Sequence, residues 1–238
     1  MVATSSPRWR DPPLQEAVFE LFFPAVSDYS LFVGNIFNSL KEEYPTSLAL
    51  PANDFPLIPS LPGFVRHRFS DTSGAVLFQL GQDLLTVNCL SYTSFNDYSQ
   101  HIHDVLSAVL EHGAPFGLSQ LTRLGIRYIN RFENTDDPVA ILQIGLPFPS
   151  SEADKLNNLK VHDTRQLGSN DGGRYLVRSF DFAADERLLL LDLQVYQVFN
   201  TQHDLAIDEL MKWAKDAHDT ISNNFESLVL NDVKERRK

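Results

Sequence analysis

The chain has 238 residues, of which 43% are hydrophobic, 11% aromatic and 21% charged, and this composition excludes a disordered tail, a collagen, a coiled coil and a disulfide scaffold while allowing a sizeable core. Its 20 basic and 31 acidic residues give a net charge of −11, which argues against a large nonspecific nucleic-acid footprint and against binding an anionic membrane with the whole surface. The single cysteine, Cys89, has no partner for an internal disulfide and no second thiolate for zinc, so a reducing compartment is expected.

Met1 to Pro13 is polar and proline-bearing, without the apolar stretch of a signal peptide. Apolar runs such as Leu188 to Leu191 are strand-length and too short to span a bilayer, so a cytoplasmic protein without membrane contact is expected. Glu16 to Phe23 places Phe19, Leu21 and Phe23 on one face at period two, with Glu20 on the other, and reads as a strand halted by Pro24. From Asp28, the residues Val33, Ile36, Phe37, Leu40 and Tyr44 form a helical stripe that ends before Pro45. The prolines at 45, 51, 56, 59 and 62 predict an extended surface loop over Pro45 to Pro62, able to hold neither a ladder nor a helix.

Three hairpin-linked strands are predicted next, at about Phe64 to Ser70, Ala75 to Leu80 and Leu84 to Leu90. A helix follows from about Phe95 to His112, with Gly113 as a left-handed cap. Gln120 to Phe132 is a strand with Leu124, Ile126, Tyr128 and Phe132 on one face and Arg123, Arg127 and Arg131 on the other. Pro147 to Gly173 reads as a long irregular connection. Two further strands, Arg174 to Phe182 and Arg187 to Phe199, form a hairpin, and a final helix from about Asp204 to Val229 is long enough to lie across a whole sheet.

This order has no run of alternating strand and helix units, so the fold class expected is α+β with mainly antiparallel pairing and a long C-terminal helix packed on the sheet. The chain is expected to form a single domain over residues 1–238. A helix followed by three strands occurs twice, which predicts duplicated halves at about 14–92 and 93–230.

Three stretches carry a resemblance: Pro12-Pro13-Leu14-Gln15-Glu16-Ala17, then Gln79-Leu80-Gly81-Gln82-Asp83 with Val87-Asn88, and Leu124-Gly125-Ile126-Arg127-Tyr128-Ile129-Asn130. With Ala217-His218 and Phe225-Glu226 near the C-terminus, the chain resembles, over nearly its whole length, a sporadically distributed bacterial family of uncharacterised proteins. That family is marked by Pro-Pro-x-x-Glu-Ala and Leu-Gly-x-Arg-Tyr-Ile-Asn. The resemblance brings no established activity or catalytic residues to carry over. The family's scattered occurrence is similar to that of accessory genes such as defence or toxin-antitoxin modules.

The chain has no Gly-x-Gly-x-x-Gly, P-loop, His-Glu-x-x-His, Gly-x-Ser-x-Gly or Cys-x-x-Cys pattern. His101 and His103, two apart on a helix, point to different faces, and no metal or cofactor is expected. Asp216 and Asp219 read as a solvated helix edge. His218 lies in the apolar stripe, where it reads first as a core histidine needing partners for its ring nitrogens and second as a proton-transfer group. Asp192, mid-strand beside Leu188, Leu190 and Tyr196, requires a nearby arginine, for which Arg127 and Arg178 are the candidates. The arginines at 123, 127 and 131 recur about every 13 Å along their strand, either as an anion-binding stripe or as one neutralised within the protein. Phe64, Phe69, Phe78 and Tyr128 read as core and not as a base-stacking face.

The function expected is that of a noncatalytic interaction protein, an antitoxin-, immunity- or chaperone-like accessory factor. Its partner is another protein, with a homo-oligomer left open and nucleic acid disfavoured, and it binds through a sheet edge or the helical layer. The alternative is a small-molecule sensor or enzyme whose pocket, between the sheet and the C-terminal helix, is built from Arg127, Asn130, Asp192 and His218.

Overall fold

The computed structural model describes residues 12–50, 64–133, 141, 158–168, 172–183, 185–200 and 206–229. The chain runs β1 (Leu14–Phe22), α1 (Tyr29–Leu40), β2 (Thr46–Ala49), β3 (Val65–Ser70), β4 (Val76–Gly81), β5 (Leu84–Cys89), α2 (Phe95–Gly113), β6 (Arg123–Phe132), β7 (Asn158–Gly168), β8 (Arg174–Ala183), β9 (Leu188–Val198) and α3 (Ile207–Leu228). The strands form one sheet in the order β2-β3-β4-β5-β1-β6-β9-β8-β7, and every pairing in it is antiparallel. The fold is α+β, with the long C-terminal helix packed on the sheet against β9 and β6.

The period-two pattern of the strands defines the two faces. A row of register partners, Phe69, Phe78, Val87, Phe19, Ile126, Val195 and Leu176, crosses seven strands. Each residue in it is buried to 2% exposure or less, because the three described α-helices lie on this face. Phe32, Val33, Ile36 and Leu40 are the buried stripe of α1. The Tyr98 hydroxyl of α2 donates to the Val87 carbonyl at 2.7 Å. Leu210, Ala214, Ala217, Ile221 and Leu228 are the buried positions of α3, spaced as a helix packed along one side requires. Phe69, Phe78 and Tyr128 belong to this covered core, as their apolar strand pattern predicts.

The strand order reads alike outward from the central β1–β6 pair: β5, β4, β3 follow β1, and β9, β8, β7 follow β6. Each half has a strand (β1, β6), three meandering strands of which the last returns to pair with it (β3 to β5, β7 to β9) and a following helix (α2, α3). Between β1 and β3, α1 and β2 have no counterpart among the described residues of the second half. A boundary at 92/93 separates α2 from the meander it follows, whereas this symmetry keeps α2 with the first half.

Three local expectations are corrected. Thr46 to Ala49, inside the proline-rich stretch, pairs with β3 as an edge strand. No proline falls between Pro45 and Pro51, and an edge strand tolerates proline at its ends; residues 51–63 of that stretch lie outside the described residues. Asn158 to Gly168, inside the stretch read as irregular, is the edge strand β7, whose polar composition suits a strand largely exposed to solvent; residues 147–157 of that stretch lie outside the described ones. Gly113 ends α2 at φ −82, and the left-handed residue is Gly117 at φ 88, after a 3-10 turn. Gly113 serves packing: a Cβ there would lie 2.8 Å from the Leu118 Cβ, well inside contact distance.

Candidate functional site

Among the described residues no helix lies on the sheet's other face, which carries most of the polar members of the alternating strands together with apolar ones such as Val18, Phe22 and Leu84. One row of register partners on it reads Arg68, Gln79, Thr86, Glu20, Gly125, Tyr196, Tyr175 and Gln166. These side chains tie to one another. The Gln79 amide donates to Thr86 Oγ1 at 3.3 Å and to Asn88 Oδ1 at 3.2 Å. The Thr86 hydroxyl donates to the same Asn88 oxygen at 2.8 Å, and the Asn88 amide donates to Glu16 Oε1 at 2.6 Å. Thr86 and Asn88 are buried, so each needs these partners to offset desolvation.

Glu20 lies across the neighbouring strand because its register partner is Gly125. A Cβ at Gly125 would stand 2.9 Å from Glu20 Oε2. That oxygen accepts from Gln194 Nε2 at 3.0 Å and lies 3.5 Å from the Arg123 guanidinium. The Arg123 guanidinium in turn sits over the ring of Phe22, 5.1 Å from its centroid, and over that of Tyr196 at 4.6 Å. Tyr196 stacks on Tyr175 with centroids 5.1 Å apart and planes 24° from parallel. A ladder of aromatic rings and one guanidinium thus runs across four strands of the uncovered face.

Arg127 and Asp192 meet on the same face. Arg127 Nε donates to Asp192 Oδ1 at 3.0 Å and to Oδ2 at 2.9 Å, and Nη2 donates to Oδ2 at 2.6 Å. These hydrogen bonds raise the Arg127 pKa against the opposing effect of burial. Arg178, the other candidate, points to the covered face and pairs with Asp163 of β7. The arginine stripe is neutralised within the protein, Arg123 by Glu20, Arg127 by Asp192, and Arg131 by Glu133 at 3.0 Å.

The four residues expected to share a pocket are divided by the sheet. Arg127 and Asn130 are an odd number of residues apart on one strand and therefore point to opposite faces. Asn130 lies on the helix side, where its amide donates to the Leu191 carbonyl at 3.2 Å. His218 reaches the same side from α3, its Nδ1 2.8 Å from the Tyr128 hydroxyl and its ring stacked on Phe95 at 4.3 Å. Burial lowers its pKa to about 4, with Asp219 opposing and Lys215 adding to the shift. His101 is bound through Nδ1 to the Tyr44 hydroxyl at 2.9 Å, and His103 lies 3.3 Å from Asp104.

The stretches behind the family resemblance converge here: Glu16, Gln79 and Asn88 form one network, and Gly125 makes room for Glu20. The Phe22, Tyr175 and Tyr196 ladder was not singled out by the sequence reading. Its signal was present as aromatic residues at the polar, outward positions of three strands. No family model matches the chain, and no curated protein matches it.

Proposed function

We propose that this chain is a noncatalytic interaction protein that holds a protein partner on the uncovered face of its sheet, in the manner of an antitoxin, immunity or chaperone accessory. The observation that carries this reading is Arg123 held over Phe22 and Tyr196, with Tyr175 stacked beyond. Tyrosine and arginine are the residue types that dominate binding energy at protein interfaces. Here they are fixed by mutual stacking before a partner arrives, which reduces the ordering cost of association. The Glu20 carboxylate beside Arg123 is also held by Gln194, while Arg123 Nε is buried without a hydrogen-bond partner among the described residues. The family resemblance, with its accessory-gene distribution, points to the same class.

The test compares wild type with a Tyr175→Ala/Tyr196→Ala variant, each immobilised and exposed to lysate of the host cell, with thermal melting as the check on folding. A stoichiometric protein retained by wild type and bound at least about thirtyfold more weakly by the folded variant supports the reading. Equal retention by both overturns it.

The reading as a sensor or enzyme keeps one favourable observation, the neutral imidazole of His218 beside the Tyr128 hydroxyl, with Tyr92 hydrogen-bonded to the same phenol. It retains only the residues of the covered face.

A further inference from the structure

β7 ends the sheet, and none of the described strands pairs with its outer side. Lys160, His162 and Thr164 to Gly168 are exposed along it. The ladder with β8 runs regularly from Asn158 to Gln166 and shifts between Gln166 and Gly168. Asp163 receives both hydrogen bonds from Arg178 on Oδ2, and its Oδ1 has no partner among the described residues. Arg165 is exposed and makes no ion pair among the described residues. An acceptor and a cation therefore stand two residues apart on one side of an edge strand, each with capacity left.

We propose that two copies of this chain join through β7, antiparallel, with Thr164 on the twofold axis. The register follows from symmetry. A twofold perpendicular to the sheet keeps each side chain on its own face, so facing residues have the same parity and the axis passes through a residue. An axis at 163 sets Asp163 against itself, one at 165 sets Arg165 against itself, and one at 162 sets two histidines together. With the axis at 164, Asp163 faces the partner's Arg165 and Arg165 faces the partner's Asp163, while His162 faces the partner's Gln166. Opposite charges directly across a strand pair favour association and like charges oppose it. The net charge of −11 per chain acts against the contact only weakly, since exposed charges are screened beyond about 8 Å at physiological salt. The arrangement continues one sheet into the next and sets both uncovered faces on the same side, giving a bivalent platform.

The contact is tested with the whole chain by sedimentation and by cysteine cross-linking. The only native cysteine, Cys89, is buried. Facing residues of an antiparallel pair have Cα atoms about 4.5–5.5 Å apart, within disulfide range, so Thr164→Cys should oxidise to a covalent dimer while His162→Cys stays largely monomeric. The wild type should sediment at twice 26.9 kDa as concentration rises, and Arg165→Asp should lose this dimer. Mixing Arg165→Asp with Asp163→Lys, each shown to be folded by circular dichroism, should restore a heterodimer. A wild type that remains monomeric, a dimer unaffected by Arg165→Asp, or equal cross-linking at 162 and 164 overturns the proposal. The surface is separate from the uncovered face, so Tyr175→Ala/Tyr196→Ala should dimerise normally, and loss of the dimer leaves the partner reading standing.

Discussion

The Tyr128 hydroxyl of the sheet and the His218 imidazole of the C-terminal helix are 2.8 Å apart, and the imidazole lies flat on Phe95 of α2 at 4.3 Å. This contact joins β6, α2 and α3, and burial lowers the His218 pKa from 6.5 to about 4, which favours the neutral ring.

The sign of the pH dependence follows. Between these two values the unfolded chain binds a proton at position 218 that the folded chain does not. Stability is therefore complete above the unfolded pKa and falls as pH drops from 6.5 towards 4, by about 2–3 kcal/mol in all. Urea denaturation of wild type and His218→Gln at several pH values through this window measures it. The variant should lack this part of the slope, and parallel curves would remove His218 as its source.

Arg127 and Asp192 hold a bidentate pair whose side chains are 42% and 22% exposed. A fully buried pair would cost several kcal/mol when broken, but solvent screens this one, so Arg127→Met or Asp192→Asn should each cost about 1 kcal/mol. The coupling between them should shrink in high salt. Denaturation of the singles and the double gives the coupling energy, and a value that salt does not change would indicate a more enclosed pair than the exposure implies.

Which features were legible depended on how one-sided each strand's surroundings are. β1, β6 and β9 have one covered and one open face, and their alternation fixed both the elements and the pairing of Asp192. β2 and β7 border solvent on an edge, so their sequences carry little apolar alternation and read as loop. Arg127 and Asn130 stand three apart on β6 and so face opposite sides of the sheet, a separation that the apolar stripe of the strand does not display. The aromatic ladder escaped because Phe22, Tyr175 and Tyr196 are far apart in sequence, and only the strand order brings them together.

Gly125 gives Glu20 room to cross β6. A methyl group there would stand 2.9 Å from Glu20 Oε2, the end of a flexible side chain, so the carboxylate shifts against Gln194 and Arg123 and Gly125→Ala should cost about 1 kcal/mol or less. In a Glu20→Ala background the same substitution should cost much less. Equal costs in the two backgrounds, read by chemical denaturation, would show that the glycine serves something other than the passage of Glu20.

The sheet's order also sets a gradient of local stability. β1 and β6 are central, and Phe19 and Ile126 face each other there with no exposure, whereas β2 is an exposed four-residue edge. Opening the central pair breaks the sheet in two and exposes the core beneath α2 and α3, so amides of β1 and β6 that bond within this pair should exchange only through global unfolding. Amides of β2 need only local fraying. Hydrogen exchange followed residue by residue should therefore be slower in the β1–β6 pair than at Leu48 by about a thousandfold or more. Comparable rates at the two places would mean that the halves on either side of the β1–β6 pair separate without unfolding.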